Sequence, residues 1–300
     1  MLKKMLFVMN PTAGQRKAAK HLAEILNTFN RADYEVTAYM TNHAGHATQL
    51  VRQRAADHDL VVCAGGDGTL NEVINGLLSC GVYRPIGYIP AGSTNDFAAS
   101  LGLSTNPLQA ARDIVEGEAT ALDVGLFGQR HFSYVASFGA FARVSYTTPQ
   151  NIKNALGHLA YLLEGIQELS QIRPIHIRME LGAEVIEDDY IFGAVSNSTS
   201  IGGLLTLDSS QVDMSDGLLE VLLVRIPRDI TELRVLIQAL QTQQYDCGVI
   251  TFRSVPELTV EADPDMVWTL DGERQEGAAR IPIRNLHHAI SIIRKKESPE

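Results

Sequence analysis

Residues 60–73 read LVVCAGGDGTLNEV. The apolar run from Leu60 to Ala64 is typical of a strand that is buried on both faces of a parallel sheet. The glycine-rich turn Gly65–Thr69 follows at once, and Leu70 then begins a run of apolar residues at helical spacing. A buried strand, a glycine turn and a helix in this order predict one βα unit of an open parallel sheet.

The same alternation of strand and helix extends over the first 120 residues. Strands are predicted at 5–9, 34–40 and 84–90, and helices at 22–29, 47–55, 70–78 and from the pair Asn106-Pro107. This pattern predicts an α/β domain with an open parallel sheet over residues 1–122, to which the tail from about 290 to 300 can return. Ligands of such sheets bind at the carboxyl ends of the strands.

Short strands dominate the second half of the chain. They are predicted at 121–127, 131–138, 174–181, 189–195, 218–224, 249–253, 257–261, 266–270, 278–283 and 289–293. Helices are predicted at 152–169 and 230–240. A second domain over residues 123–289, built as a mostly antiparallel β-sandwich, follows from this pattern.

The composition excludes several classes of protein. Asp and Glu number 35 against 25 Lys and Arg, and the formal net charge of −10 disfavours binding to a nucleic-acid backbone. The three cysteines are far apart and lack the CxxC spacing of zinc sites, so a reducing, cytoplasmic location is predicted. No apolar run approaches the ~18 residues that a membrane-spanning helix needs.

The glycine turn also indicates a ligand. Glycines let main-chain N–H groups approach an anion at the positive end of the following helix, as phosphate sites do. A carboxylate beside phosphate groups indicates a cation between them, so Asp67 predicts Mg²⁺ bound together with a nucleotide. A plain strand-to-helix turn is the alternative. The sequence lacks the P-loop motif, the third glycine of the dinucleotide fingerprint and a His-Arg-Asp loop, which excludes three common nucleotide-binding families.

Two further loops combine turn-forming residues with hydroxyl and amide groups at the ends of predicted strands. They are NPTAG at 10–14 and PAGSTND at 90–96. Each alone is also typical of an ordinary turn. Three such loops at one edge of a sheet favour a shared phosphate site.

The motifs GGDGTLNE at 65–72 and PAGSTNDF at 90–97 resemble those of the soluble bacterial diacylglycerol kinases. That family is related to eukaryotic diacylglycerol and sphingosine kinases and, more distantly, to NAD kinases. The resemblance covers nearly the whole chain, including 10–14, 213–217 and the late Asp271-Gly272-Glu273. The glycine motif alone does not separate these relatives, whereas the second motif and the late Asp-Gly-Glu favour a lipid kinase.

The resemblance implies an ATP- and Mg²⁺-dependent kinase that phosphorylates the hydroxyl of diacylglycerol to phosphatidic acid, with an NAD-kinase-like first domain and a lipid-substrate second domain. It implies Glu273 as the proton acceptor and adds Asp67, Asp96 and Asp271 to the catalytic set. The implied ATP-binding positions are Asn10, Pro11, Thr12, Ala13, Gly14, Thr41, Gly65, Gly66, Gly68, Thr69, Leu70, Asn71, Glu72 and Thr94. A structural Mg²⁺ is implied at Asp213, Asp216 and the Leu218 carbonyl group.

The sequence departs from the family pattern at two positions. Ala99 stands where the family often has arginine, and Ala13 stands where a serine is common. The candidates for the missing phosphate contact are Arg16, Lys17 and Arg143. An Asp-Gly pair is equally typical of a hairpin turn, so spacing alone leaves the role of Glu273 open.

The remaining expectations concern partners and location. The resemblance implies a lipid substrate at the inner face of the membrane, reached transiently from the cytoplasm, and the net charge argues against nucleic acid. Several alternatives stay open: another lipid alcohol such as phosphatidylglycerol or a sphingoid base, NAD as the acceptor, and a nucleotide-binding regulator without activity. A homodimer also stays open.

Overall fold

The computed structural model describes residues 2–93, 95–139, 173–201, 205–206, 212–245 and 247–295. The chain forms two compact units. One is made by the described residues up to Asp123 together with those from His288 onward, and the other runs from Val124 to His287. The predicted helix at 152–169, the site residue Thr94 and Arg143 lie outside the described residues. The functional roles predicted for the two domains stay predictions.

The first unit alternates strands and helices as predicted. In chain order they are β1 (Lys3–Met9), α1 (Lys17–Lys20), α2 (Leu22–Arg31), β2 (Tyr34–Met40), α3 (His46–Arg54), β3 (Leu60–Gly65), α4 (Asp67–Cys80), β4 (Ile86–Pro90), α5 (Asp96–Ser100) and α6 (Pro107–Glu116). Asn106 caps α6 by accepting the N–H groups of Leu108 and Gln109, and Pro107 occupies the first helical position.

The sheet of this unit is parallel, which confirms the predicted fold class. β1 lies between β2 and β3, and β3 pairs with β4. Every residue of β3 is buried, as the continuous apolar run predicts for a central strand. β2 lies at the edge of this sheet and alternates between half-buried and exposed residues along most of its length.

The second unit is built mainly from antiparallel strands. They are β5 (Glu118–Phe127), which begins in the first unit, β6 (Arg130–Phe132), β7 (Val135–Gly139), β8 (Ile175–Leu181), β9 (Glu184–Ser196), β10 (Ser200–Ile201), β11 (Leu205–Thr206), β12 (Leu219–Arg225), β13 (Ile250–Val255), β14 (Glu257–Glu261), β15 (Val267–Leu270), β16 (Glu273–Glu276) and β17 (Arg280–Arg294). One helix, α7 (Ile230–Thr242), interrupts the described strands. The last residues of β17 belong to the first unit, where Ile292 pairs with Ile86 in parallel.

Aromatic residues occupy the core of the second unit. Trp268 is fully buried, and the rings of Phe127 and Phe138 both meet it edge-on at a centroid distance of 4.9 Å. Such edge contacts add to the stability that burial of the rings provides. No helix among the described residues is long and apolar enough to cross a membrane.

Several predicted elements, including strand 189–195 within the longer β9, differ from the structure in their limits, and the following differences have a clear physical reason. The helix expected from near Leu70 begins one turn earlier, at Asp67. The predicted strand 131–138 is two strands, β6 and β7, because the N–H groups of Ser133 and Tyr134 donate to the side chain of Asp271 rather than to a strand. The predicted strands 278–283 and 289–293 are one, β17, since the polar residues between them interrupt the apolar alternation without ending the extended backbone. Strand β16 was not predicted.

Candidate active site

The carboxyl ends of strands β1 to β4 lie next to one another at one edge of the sheet of the first unit. Met9 of β1 pairs with Met40 of β2 and with Ala64 of β3, and Gly65 of β3 pairs with Pro90 of β4. The carboxyl ends of four neighbouring strands meet there, as expected for a ligand site. The predicted ATP-binding segments that follow these ends are 10–14, Thr41, 65–72 and 90–96.

Glycines let these loops approach one another closely. A Cβ atom on Gly14, whose φ is +43°, would lie 1.8 Å from the carbonyl oxygen of Ala91. A Cβ atom on Gly92 would lie 2.7 Å from the Cα atom of Gly66. At Gly68, by contrast, an added Cβ atom would meet nothing within 4 Å. The loops thus pack backbone against backbone beside open space, an arrangement that suits an anion held by peptide groups.

Helix α4 begins at this corner. Its N-cap is Gly66, which has no side chain to cap the helix, and the Gly66 carbonyl oxygen accepts the N–H groups of Thr69 and Leu70. A helix of this length carries a partial positive charge at its N-terminus. The side chain of Leu70 is buried and its N–H group donates to Gly66, so the ligand contact predicted for Leu70 stays a prediction.

Asp67 connects the glycine turn, residues 65–69, to the residues that follow β4. Its two carboxylate oxygens accept the N–H groups of Asp96, at 3.0 Å, and Phe97, at 3.4 Å. These are the first N–H groups of α5, so Asp67 caps that helix from another part of the chain. The half-buried carboxylate therefore fixes the loop 90–96 against the glycine turn.

Two asparagine side chains hold the other loops in shape. Asn10 accepts hydrogen bonds from the N–H and hydroxyl groups of Thr12 and donates one, at 3.4 Å, to the hydroxyl oxygen of Thr69. The buried Asn95 accepts the N–H group of Gly92 at 2.7 Å and donates to the Gly92 carbonyl oxygen at 3.1 Å. Neither contact could be read from spacing, although both asparagines lie in the predicted motifs.

Glu72 was predicted among the ATP-binding residues, and the structure shows what its side chain contacts. Its carboxylate accepts the N–H groups of Gly45, at 2.8 Å, and Ala47, at 3.0 Å, at the start of α3. It therefore fixes the segment after Thr41 against α4. A contribution of Glu72 to ATP binding stays a prediction, and these contacts favour an indirect one.

Two exposed basic residues follow the loop 10–14. Arg16 and Lys17 are exposed and come directly after the segment 14–15. Ala99, at the position where the resemblance implies that arginine is often found, is exposed in α5. Two of the three cations that sequence reasoning proposed as substitutes are thus available to solvent in the same unit, and the third, Arg143, lies outside the described residues.

The cysteine of β3 is not a nucleophile. Cys63 is fully buried, and burial raises the pKa of its thiol, with the negative charges of Glu72 and Asp67 raising it further. The thiol therefore stays protonated at neutral pH, whereas a reactive cysteine needs its thiolate form.

In the second unit, Asp271 and Gly272 form the turn of a two-residue hairpin between β15 and β16. Their φ angles are +47° and +85°, the left-handed conformations that such turns require. The buried carboxylate of Asp271 accepts the N–H groups of Ser133, Tyr134 and Val135 at 2.5, 3.0 and 3.1 Å. These contacts give Asp271 an anchoring role, and a direct catalytic role stays a prediction.

Glu273 leaves this turn as the first residue of β16. Its side chain is 63% exposed and receives a 2.5 Å hydrogen bond from the guanidinium group of Arg130. A projecting carboxylate can be reached by a substrate hydroxyl group, as a proton acceptor must be, and the catalytic role of Glu273 stays a prediction. Sequence reasoning did not find Arg130, because nothing in the sequence connects it to a residue 143 positions away.

The predicted metal residues form a tight turn before β12. Asp213 accepts the N–H and hydroxyl groups of Ser215, Asp216 accepts the N–H group of Leu218, and the Leu218 carbonyl oxygen accepts a hydrogen bond from Asn285. In each carboxylate these contacts use only one oxygen, Oδ1, and both side chains are exposed. Oxygen donors of this kind fit Mg²⁺, so the residues present are compatible with the implied site.

Comparisons with known proteins agree along the whole chain. Residues 4–127 match the model of the diacylglycerol kinase catalytic domain, and residues 134–293 match the YegS C-terminal NAD kinase beta sandwich-like domain. A diacylglycerol kinase of Bacillus subtilis strain 168 is 32% identical over 303 residues, which cover 100% of this chain and 99% of that protein. One of Staphylococcus saprophyticus is 30% identical and covers 91% of this chain and 90% of that protein.

A solved structure shows the same fold. The crystal structure of a diacylglycerol kinase from Bacillus anthracis str. Sterne has a TM-score of 0.75 at 22% identity, covering 98% of this chain and 97% of that one. The chain belongs to the bacterial diacylglycerol kinase family, and it is a phosphotransferase whose acceptor is an alcohol group.

Proposed function

We propose that this protein transfers the γ-phosphoryl group of ATP to the free hydroxyl group of diacylglycerol, forming phosphatidic acid. The observation that carries the proposal is the backbone-lined corner where the loops 10–14, 65–69 and 90–96 meet the N-terminus of α4. Membership of the diacylglycerol kinase family supports a lipid as the acceptor.

In this corner the chain binds the triphosphate of ATP mainly through peptide N–H groups. The N-terminus of α4 and the glycines around it favour negative charge. The exposed cations Arg16 and Lys17 add positive charge next to the first loop. Mg²⁺ bound with ATP supplies charge neutralisation at the phosphates, and Asp67 and Asp96 are the carboxylates of this unit that would hold it.

Glu273 acts as the proton acceptor in the transfer. The lipid hydroxyl oxygen forms a bond to the γ-phosphorus, the bond from that phosphorus to the oxygen of ADP breaks, and the hydroxyl proton moves to the Glu273 carboxylate. A positioned base contributes roughly 10²- to 10⁴-fold to such a step. The exposure of this side chain supports the role, because an acceptor must be reached by its substrate.

The substrate resides in a bilayer, so the proposed enzyme works at the membrane surface from the cytoplasmic side. Without a spanning helix among the described residues, this contact is a transient one in the proposal. The acidic net charge means that attraction to anionic headgroups would come from local cations such as those after the first loop.

A substrate panel with labelled ATP tests the proposal. Detergent-dispersed diacylglycerol, phosphatidylglycerol, a sphingoid base and NAD are supplied separately in the presence of Mg²⁺. We expect label in phosphatidic acid, and Glu273→Gln should lower that rate by at least 100-fold with little change in ATP affinity. Label in a different lipid only would show that the protein is a lipid kinase with another substrate. Label in NAD only would overturn the proposal.

A further inference from the structure

Arg130 is held by several atoms of strand β16. One of its terminal nitrogens, Nη2, donates to Oε2 of Glu273 at 2.5 Å. The other, Nη1, donates to the side-chain oxygen of Gln275 at 3.1 Å and to the carbonyl oxygen of Arg274 at 3.4 Å. Among the residues that the structure describes, Arg130 is the one side chain shown to donate a hydrogen bond to the Glu273 carboxylate. The position of the proposed base therefore depends on this one arginine.

The backbone that carries Arg130 is itself fixed. Arg130 is the first residue of β6, which pairs with β5 across the turn 128–129. Two residues later, the fully buried Phe132 stacks so closely over Gly125 that a Cβ atom there would lie 2.1 Å from its ring. The guanidinium group is thus presented from a rigid hairpin, and its side chain is 35% exposed.

The same short segment is also tied to the turn that precedes Glu273. Asp271 receives three N–H groups from residues 133–135 through its carboxylate, and its own N–H group donates to the Val135 carbonyl oxygen at 2.9 Å. The segment 130–135 therefore holds the hairpin at two points, the turn through Asp271 and the base through Arg130. Without Arg130, the Glu273 side chain would have the freedom of an exposed glutamate on an otherwise fixed backbone.

A contribution to folding stability does not account for the ion pair between Arg130 and Glu273. An ion pair between exposed side chains contributes little to folding, because solvent screens the charges and two long side chains lose freedom. A carboxylate that must meet a hydroxyl group in one geometry, by contrast, gains much from a restricted orientation. The larger effect of Arg130 is thus expected in the reaction rather than in the fold.

We propose that Arg130 is a positioning residue for Glu273, whose guanidinium group orients the carboxylate toward the acceptor hydroxyl group. The proposal rests on the proposed function, in which Glu273 accepts the proton. It predicts that Arg130 influences turnover only through Glu273. If Arg130 had a purely structural role, its substitution would lower turnover by the same factor in variants that lack the Glu273 carboxylate.

A double-mutant cycle tests this inference on the full chain. Arg130→Ala is expected to lower kcat about 10- to 100-fold, the scale of a misplaced catalytic group, with the KM for ATP unchanged. Arg130→Lys, which keeps one charged donor, should restore part of the rate. In the Glu273→Gln background, Arg130→Ala should have no further effect. If Glu273→Gln has no measurable turnover, Glu273→Asp replaces it, and Arg130→Ala should then cost less than in the parent.

Arg253 provides a matched control in the same unit. It contacts Glu184 with two hydrogen bonds of 2.9 Å, and both side chains are about as exposed as the Arg130 pair. Arg253→Ala should leave turnover unchanged. An unchanged kcat in Arg130→Ala, or an equal loss with and without the Glu273 carboxylate, would overturn the proposal. Near-parental turnover of Glu273→Gln alone would instead overturn the role of the base, so the two failures are distinguishable.

Discussion

Asp67 combines an observed structural contact with a proposed role in the reaction. It caps α5 through the N–H groups of Asp96 and Phe97 and lies at the proposed phosphate corner. We predict that Asp67→Ala lowers kcat by orders of magnitude and also lowers the stability of the first unit by about 1 kcal/mol, the usual cost of a lost cap. Asp67→Asn keeps one acceptor oxygen, so most of the stability should return without the activity.

The measurements are steady-state turnover and the free energy of unfolding in urea. Asp229→Ala is the control, because Asp229 caps α7 by accepting the N–H groups of Thr231 and Glu232 at 2.8 and 2.9 Å. That variant should lose a similar amount of stability and retain full turnover. Near-normal turnover in a folded Asp67→Ala protein would show that the carboxylate takes no part in the reaction.

For single residues, the sequence indicated which positions belong to the candidate site, but it did not indicate which residues they contact. Asp67 was predicted from the residue pattern and Glu72 from the family resemblance, but the amide groups that they cap lie in other loops. Arg130 had no signal at all, since its partner is brought to it only by the fold. Contacts between distant residues need coordinates, whereas glycine turns are local and can be read directly.

Among the elements, the β15–β16 hairpin is anchored at its turn by the carboxylate of Asp271. Asp271→Ala would leave three amide groups near the turn without their acceptor, and each unsatisfied buried group costs about 1–3 kcal/mol. We predict a fall in Tm of roughly 10 °C for this variant, from a loss of about 3 kcal/mol and the usual shift for a unit of this size.

Calorimetry of the full chain checks this prediction. Asp263→Ala is the control, since Asp263 makes one exposed turn contact of 2.9 Å with the N–H group of Asp265 in the same unit. Its Tm should change little. Equal Tm values for Asp271→Ala and the parent would contradict the anchoring role.

The start of α7 gives the chain a pH-dependent contact. The pKa of Glu232 is lowered from its ordinary value of 4.5 to about 2, chiefly by the hydrogen bonds from Arg225 and then by the N–H group of Arg228. A lowered folded-state pKa means that the contact contributes its full stability above pH 4.5 and loses it as the pH falls from about 4.5 to about 2.

We predict that Glu232→Gln makes stability less dependent on pH in that window. Urea unfolding midpoints measured between pH 5 and pH 2.5, roughly the span of the lowered pKa, provide the test. Glu257→Gln removes one exposed carboxylate of the same unit and controls for the change in charge. An identical pH slope in Glu232→Gln and the parent would contradict the prediction.

The limits of a strand or helix could be predicted where its hydrophobic pattern is regular and turn-forming residues lie beside it. Strand β2 and strand β14 match their predicted limits because each is an unbroken pattern between residues that end strands. The break between β6 and β7 could not be predicted, since the acceptor that causes it, Asp271, is 138 positions from Ser133. The continuity of β17 was missed because polar residues such as Asn285 keep their backbone hydrogen bonds, here to Pro256 at 2.8 Å.

For the whole molecule, a structural Mg²⁺ would connect metal binding to folding. The exposed carboxylates of Asp213 and Asp216 and the Leu218 carbonyl group supply the oxygen donors. A ligand that binds only the folded state stabilises it by about 2.7 kcal/mol at 100 times its Kd. We predict that Mg²⁺ without ATP raises the Tm of the parent and raises that of Asp216→Asn much less.

Thermal unfolding with and without Mg²⁺ decides this point. Asp263→Asn, another exposed carboxylate of the same unit, should behave as the parent does. An equal rise of Tm in the parent and in Asp216→Asn would assign the effect to a different site.

The fold class of the molecule could be predicted because local period and global architecture agree. Helical and strand periods alternate in the first unit, and short strands follow one another in the second, so each pattern allows few packing arrangements. The acceptor substrate could not be predicted from such patterns. In the proposed mechanism it depends on which hydroxyl group reaches Glu273, and that is set by the shape of a surface rather than by periodicity.

We propose that peptide groups at the start of α4 hold the triphosphate of ATP. Crystals of the full chain grown with a non-hydrolysable ATP analogue and Mg²⁺ test it most directly. We expect phosphate oxygens within hydrogen-bonding distance of the amide nitrogens of residues 66–68, close to Gly14 and Gly92. A triphosphate bound elsewhere, with this corner filled only by solvent, would contradict it.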